Sequence, residues 1–197
     1  MPPIIRLNGG LKALTGFEAL SSKDIENLAF SIITTQQKEQ FEEKMELDFS
    51  FSIPDMGRFR ANMFCQRGSI ALVCRVIPSE IPTPQELNLP EVIENLTTLK
   101  NGLVLVTGPT GSGKSTTLAS LINKINNEQN KHILTIEDPI EFTYEHRYSI
   151  INQRQVKTDS LSFANALRSS LREDPDVILI GEMRDLETIS TTLTIAE

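Results

Sequence analysis

Residues 108–116 read Gly-Pro-Thr-Gly-Ser-Gly-Lys-Ser-Thr and follow directly on an apolar run at 103–106. They match the pattern G-x-x-x-x-G-K-[ST] of a phosphate-binding loop, in which backbone N–H groups and a helix N-terminus surround a polyphosphate. Lys114 can reach the β- and γ-phosphates, and the Ser115 hydroxyl can ligate Mg²⁺. We therefore predict that a nucleotide is held by the loop residues Gly108, Thr110, Gly111, Ser112, Gly113, Lys114, Ser115 and Thr116.

Two acidic clusters follow predicted strands. The first is 137–141, Glu-Asp-Pro-Ile-Glu, and the second is Gly181-Glu182. Ligands of an open α/β sheet bind outside the carboxyl ends of its strands, so these acids are expected beside the phosphates. No Asp ends the second strand, so we expect Glu182 to touch Mg²⁺ through water. The alternative is that these acids are solvated or cap the helices that follow.

Four arginines and no acid lie between residues 56 and 79: Arg58, Arg60, Arg67 and Arg75. Guanidinium groups without a carboxylate partner suit a γ-phosphate, which a small domain can contact across a subunit boundary. Alternatively, they solvate the sheet or pair with the acids at 42, 43 and 46. The spacing alone does not decide between these readings.

The first 80 residues are predicted to form a small α+β domain. Apolar residues at helical spacing indicate a helix capped by Ser21 or Ser22, and a charged helix is expected at 36–45. Alternating residues then predict three strands of an antiparallel meander, at 49–53, 58–65 and 70–77.

A linker at 81–90 is indicated by its prolines, and residues 91–197 alternate strands with helices. The strands are predicted at 103–106, 132–136, near 148–152 and at 177–180, with amphipathic helices after the phosphate loop, around 163–171 and after Asp185. Apolar strands that alternate with helices predict a parallel sheet covered on both faces.

Composition excludes several classes of protein. The net charge of −7 over 197 residues argues against a dedicated nucleic-acid surface, and no apolar run is long enough to span a bilayer. Cys65 and Cys74 lie among apolar residues and are expected to be buried thiols rather than a disulfide or metal site. Structural roles are expected for His132 and His146, which have no partners at metal-ligand spacing.

Four stretches together resemble the type II/IV secretion ATPase superfamily: 102–115, 133–142, 171–176 and 181–189. The residues of the last stretch, together with those at 172–174 and 48–51, are most similar to the ATPase of type IV pilus retraction and twitching motility.

The resemblance implies a PAS-like N-terminal domain before a RecA-like P-loop ATPase core. It implies a cytoplasmic hexameric ring that hydrolyses ATP with Mg²⁺, acts without nucleic acid, and lies against the inner-membrane platform of the pilus machine. Glu141 corresponds to the acid that polarises the attacking water, within an acidic box that includes Asp138, and Glu182 to an atypical Walker B acid. The arginines at 60, 67 and 75 correspond to residues that reach nucleotide in the assembled ring.

Family members continue past residue 197, and the first residues resemble an internal family segment, so the chain is expected to be truncated at both ends. Three alternatives remain beside pilus retraction. One is a pilus-assembly or type II secretion ATPase of the same superfamily, and another is a nucleotide-binding fragment without turnover. The third is a RecA-like DNA motor, which the acidic charge disfavours.

Overall fold

The computed structural model describes residues 1–54, 56–78 and 80–197. The chain divides into two compact units, Met1–Ile77 and Pro78–Glu197. Each unit has its own sheet and its own apolar core.

The first unit contains a hairpin, two helices and a three-stranded sheet. Its elements are β1 (Ile4–Leu7), β2 (Gly10–Ala13), α1 (Ser22–Ser31), α2 (Thr35–Lys44), β3 (Glu46–Ile53), β4 (Gly57–Gln66) and β5 (Ser69–Ile77). The sheet is antiparallel in the order β3-β4-β5, which confirms the predicted meander.

Both helices of this unit begin at capping boxes. Ser21 accepts a hydrogen bond from the backbone N–H of Asp24, whose carboxylate bonds back to Ser21. Thr34 and Gln37 form the same reciprocal pair at the start of α2. These pairs satisfy N–H groups that a helix start leaves open, so the predicted helices form where expected.

One face of the β3-β4-β5 sheet packs against the helices. Its buried cluster consists of Ala29, Phe41, Leu47, Phe49, Ala61 and Met63. On the other face, Arg60 lies directly opposite Arg75 in the strand register.

The expectation of two buried thiols is wrong, because Cys65 and Cys74 are both exposed. Cys65 is the penultimate residue of β4, and Cys74 lies on the edge strand β5. An apolar neighbourhood in sequence does not bury a side chain at the border of a small sheet.

The second unit carries a parallel sheet. Its elements are α3 (Glu91–Glu94), a 3₁₀ helix (Asn95–Thr98), α4 (Lys114–Glu128), β6 (His132–Glu137), β7 (Ile150–Gln155), α5 (Phe163–Ser170), β8 (Val177–Ile180) and α6 (Leu186–Ala196). The strand order is β7-β6-β8, with both pairings parallel.

Both faces of this sheet are packed, as the sequence predicted. The cluster on one face joins Ile133, Ile151 and Leu179 to Ile122 and Ile125 of α4. On the other face, Leu134, Ile136 and Ile180 contact α5 at Ala166 and Leu167. The sheet therefore has helices on both sides, which fixes the carboxyl ends of its strands at one edge.

The predicted strand at 103–106 is wrong. Residues 102–108 have no strand pairing within the described residues, and Leu103, Val104 and Leu105 are exposed. At the start of this stretch the N–H of Gly102 donates to the carbonyl of Ala196 at 3.1 Å. An apolar run forms a strand only where a neighbour pairs with its backbone groups, and the described sheet provides none here.

Candidate functional site

The phosphate-binding loop is tightly curled before α4. Gly108, Gly111 and Gly113 have φ values of +153°, +80° and +89°, a range that L side chains rarely adopt. Among the described residues no side chain caps the N-terminus of α4, which begins at Lys114. The first N–H groups of this 15-residue helix are thus left for another partner, and they carry the positive end of the helix dipole.

Lys114 bridges the loop. Its Nζ donates to the carbonyl oxygens of Gly108 and Pro109, each at 2.9 Å. The ammonium is therefore held against the same loop whose glycines curl the backbone, so a positive charge lies at the place where the sequence predicts phosphate.

A small cleft of about 80 Å³ opens next to the loop, where the first turn of α4 meets the carboxyl ends of β6 and β8. Its lining residues are Ser115, Leu118, Ala119, Glu137, Asp138, Pro139, Glu141, Phe142, Tyr144, Leu179, Gly181 and Glu182. The structure thus brings together four predicted site residues, Ser115, Asp138, Glu141 and Glu182. Lys114 precedes Ser115 in the chain and is not part of the lining.

Glu137 is the most buried acid of the cleft, with 8% of its surface exposed. Its Oε1 accepts a 2.8 Å hydrogen bond from the Thr135 hydroxyl, and its Oε2 accepts a 3.1 Å bond from the backbone N–H of Glu141. Burial raises the pKa of Glu137 above its ordinary value, although these donors act in the opposite direction. Burial and the nearby charge of Glu137 also raise the pKa of Tyr144.

Two of the other three acids of the cleft, Asp138 and Glu182, are ion-paired. Asp138 accepts from Lys157 Nζ at 2.7 Å, and Glu182 lies 2.8 Å from the guanidinium of Arg184. This ion pair allows Arg184 to brace the carboxylate of Glu182.

Sequence reasoning gave no individual role to Glu137, which it placed in the acidic cluster, and did not consider Tyr144. The sequence did contain a signal for Glu137, because it is an acid at the end of a mostly apolar strand. An acid in that position is buried together with the strand. No pattern in the sequence marks Tyr144, whose burial depends on the path of the loop.

Both histidines have structural hydrogen bonds, as predicted. His132 contacts the carbonyl of Asp174 and the side chain of Asn152, and His146 accepts from the backbone N–H of Ile151. Among the described residues no group of three or more His, Cys, Asp or Glu side chains can hold a metal ion by itself.

The predicted arginines lie in the unit Met1–Ile77. Arg60 and Arg75 are on β4 and β5, and Arg67 is in the turn between these strands with φ of +49°. Within the described residues no carboxylate forms an ion pair with any of the three. The alternative that they pair with Glu42, Glu43 or Glu46 therefore finds no support in this part of the chain.

None of the helices formed by the described residues is both long enough and apolar enough to cross a bilayer.

Comparison with known proteins identifies similar chains. The chain is 50% identical over 197 residues to a protein of Pseudomonas aeruginosa named type IV pilus retractation ATPase PilT, covering all of this chain and 57% of that protein. It is 49% identical over 195 residues to a twitching motility protein of Neisseria gonorrhoeae, covering 99% of this chain and 52% of that protein. The chain thus spans little more than half the length of these relatives.

Solved structures give the same result. The crystal structure of the pilus retraction motor PilT with bound ADP matches with a TM-score of 0.96 and 52% identity, over 100% of this chain and 57% of that one. The ATPase DotB of Legionella pneumophila matches with a TM-score of 0.84 and 33% identity, over 100% and 56% of the two chains. These matches confirm the predicted fold class, an α/β chain with an N-terminal domain before a partial RecA-like core, whereas the predicted domain boundaries stay predictions.

A family model described as type II/IV secretion system protein matches residues 80–197. This stretch holds the phosphate-binding loop, the acidic cleft and the whole parallel sheet. Because the match covers more than half of the chain, the chain belongs to the type II/IV secretion system protein family.

Proposed function

We propose that the full-length gene product containing this chain is a Mg²⁺-dependent ATPase that powers type IV pilus retraction in twitching motility. The observation that carries the proposal is the shared cleft, in which Ser115 of the phosphate-binding loop faces the acids Glu137, Glu141 and Glu182. The names of the relatives give the biological process, since one is a pilus retraction ATPase and another a twitching motility protein.

Nucleotide binding rests on the loop and on a relative. The curled glycines and the uncapped start of α4 offer N–H donors to phosphate, and Lys114 adds a positive charge. The related motor PilT was solved with ADP bound. We propose that ATP occupies the same loop here, held by Gly108 and the residues from Thr110 to Thr116.

The residues of the cleft fit a magnesium ion. Mg²⁺ prefers oxygen ligands, keeps several waters, and binds through one or two protein groups plus substrate phosphates rather than in a protein cage. The Ser115 hydroxyl would ligate it directly and Glu182 through water, and both residues line the cleft. When bound, the ion would neutralise charge that develops on the phosphates.

Hydrolysis further requires a group that orients the attacking water. We assign this role to Glu141, which is exposed and lines the cleft. Glu137 is buried and its two oxygens accept from protein donors, so it is better placed to support the loop than to meet water. Asp138 also lines the cleft, and its carboxylate is paired with Lys157.

We propose that Arg60, Arg67 and Arg75 complete the site of a neighbouring copy in a hexameric ring. Like charges directly opposite each other on a sheet are destabilising, and Arg60 faces Arg75 with no ion-pair partner in the described residues. Triphosphate from another subunit would supply the missing negative charge.

The ring is proposed to work at the cytoplasmic face of the inner membrane, against the platform protein of the pilus machine and without nucleic acid. Domain movements driven by hydrolysis would return pilin subunits to the membrane. Pilus assembly and type II secretion use relatives of the same family, so these two processes remain the alternative for the same chemistry.

The second candidate is nucleotide binding without turnover by the chain on its own. It is favoured by the proposal that the three arginines act on a neighbouring copy, since a single copy would then lack them at its own nucleotide. Tight ATP binding with no phosphate release, even at high protein concentration, would support this candidate.

The test of the leading proposal is phosphate release by the full-length gene product. Lys114→Ala and Glu141→Gln should each lower kcat by about 10²-fold or more, since they remove phosphate binding and water orientation. Lys124→Met is the matched control, because this lysine is on the same helix and pairs with Glu94 and Glu128. Unchanged turnover in both site variants would refute the proposal.

A further inference from the structure

The β6-β7 pair carries a row of polar side chains on the sheet face that otherwise packs against α4. Thr135 and Glu137 on β6 lie opposite Gln153 and Gln155 on β7 in the register. Thr135, Glu137 and Gln155 are buried, with 0%, 8% and 7% of their surface exposed. Buried polar groups destabilise a fold unless they are hydrogen-bonded, so their partners indicate what this row does.

Two partners of Gln153 belong to the loop that carries Glu141, and a third is the carboxylate of Glu137 on β6. Gln153 Oε1 accepts from the backbone N–H of Tyr144 at 2.9 Å, and its Nε2 donates to the carbonyl of Phe142 at 2.8 Å. One side-chain amide thus bonds both an N–H and a C=O of the loop, as a neighbouring strand would. The loop lies outside regular secondary structure, so these bonds replace backbone pairing.

A second contact holds the same loop from β6. The N–H of Glu141 donates to Glu137 Oε2 at 3.1 Å. Glu141 directly precedes Phe142, whose carbonyl accepts from Gln153. Glu141 is therefore flanked by two anchors on adjacent strands, whereas its own carboxylate is left facing the cleft. Gln153 does not line the cleft, so it acts on the site through the loop and through Glu137.

We propose that Gln153 is a positioning residue, which holds the 141–144 loop so that the carboxylate of Glu141 is aligned with the attacking water. This inference rests on the proposed ATPase function. A displacement of about 1 Å at a catalytic group can lower a rate by about 10²-fold. Loss of the Gln153 hydrogen bonds to the loop should therefore lower turnover.

The experiment compares Gln153→Met with the wild type in the full-length gene product, by amide hydrogen exchange and by ATPase kinetics. Methionine keeps the length of the side chain but removes both loop hydrogen bonds. Asn152→Ala is the matched control, because Asn152 is the adjacent residue of β7, lies on the other face, and bonds His132 instead.

We expect Gln153→Met to accelerate exchange at the amides of both Tyr144 and Glu141 by about threefold or more. Exchange at Glu141 reports loss of all the contacts of Gln153, because Gln153 also bonds Glu137, which accepts from the N–H of Glu141. In addition, kcat should fall by about 10- to 100-fold while the Kd for ADP stays within about twofold. The control variant should leave exchange at Glu141 and kcat unchanged.

Unchanged exchange at Glu141, or ADP binding that weakens as much as kcat falls, would overturn the inference. If Gln153→Met does not fold, Gln153→Asn serves instead, because it keeps a neutral amide that is one methylene too short to reach both loop groups. If the wild type shows no turnover, the proposed function fails, and exchange at Glu141 alone decides the role of Gln153.

Discussion

The backbone N–H of Glu141 donates a 3.1 Å hydrogen bond to the carboxylate of Glu137. The first acid is exposed and faces the cleft, whereas the second is buried and has a raised pKa. The two acids therefore have different environments, and the buried one, at the end of β6, supports the exposed one in the loop that follows.

Glu137→Gln should change how stability depends on pH. Burial raises the native pKa of Glu137 above the unfolded value of about 4.3, so the native state binds this proton more tightly. Its contribution is fully present below about pH 4.3 and is lost as pH rises through the native pKa. The free energy of unfolding of the wild type, minus that of the variant, should therefore fall from pH 4 upward.

Urea unfolding at a series of pH values measures this difference. Glu145→Gln provides the reference for the loss of one carboxylate from the surface of the same loop, since this side chain is exposed. A difference that increases with pH would contradict the assignment of Glu137 as an acid that the fold prefers in its neutral form.

Both cysteines should react with a thiol reagent such as DTNB in the native protein, because both are exposed. Cys74 should react more slowly, since partial desolvation of its thiol raises its pKa and lowers the thiolate fraction. The single variants Cys65→Ser and Cys74→Ser separate the two rates. Labelling that occurs only after denaturation would show that the thiols are buried after all.

Arg75→Gln should separate stability from activity. Removing one member of the Arg60–Arg75 pair relieves repulsion, so the free energy of unfolding should stay equal or rise by about 0.2–1 kcal/mol. Turnover of the full-length gene product should nevertheless fall by about 10²-fold or more, as for other arginines that act across subunits.

Arg6→Gln is the control for Arg75, because Arg6 is exposed on the separate β1-β2 hairpin and bonds the carbonyl of Gly9. Turnover of Arg75→Gln equal to that of this control would favour the simpler reading, in which the arginines only solvate the sheet.

Local signals predicted most of the fold. The helices after Ser21 and Asp185 begin where their caps predict, because capping and apolar spacing depend on neighbours in sequence. The P-loop prediction likewise needs only nine consecutive residues. The parallel pairing of β6 with β8 follows from the helices that connect apolar strands.

The failures involve residues distant in sequence. The run at 103–106 has strand composition, yet strand formation depends on a partner that composition does not reveal. Gln153 looks like an ordinary polar strand residue, and its contacts with the 142–144 loop depend on the pairing of β6 with β7. Individual roles in the candidate site were therefore less predictable than its location.

Titration calorimetry of the chain with ADP is the most direct test of the central claim that the loop at 108–116 and the adjacent acids form one nucleotide site. The wild type should bind one ADP. Lys114→Ala should lower the affinity by about 10- to 100-fold, since it removes charge-assisted hydrogen bonds, while Glu141→Gln should leave it within about twofold. A folded wild type that binds no ADP, or a Lys114→Ala variant that binds as tightly as the wild type, would contradict the account.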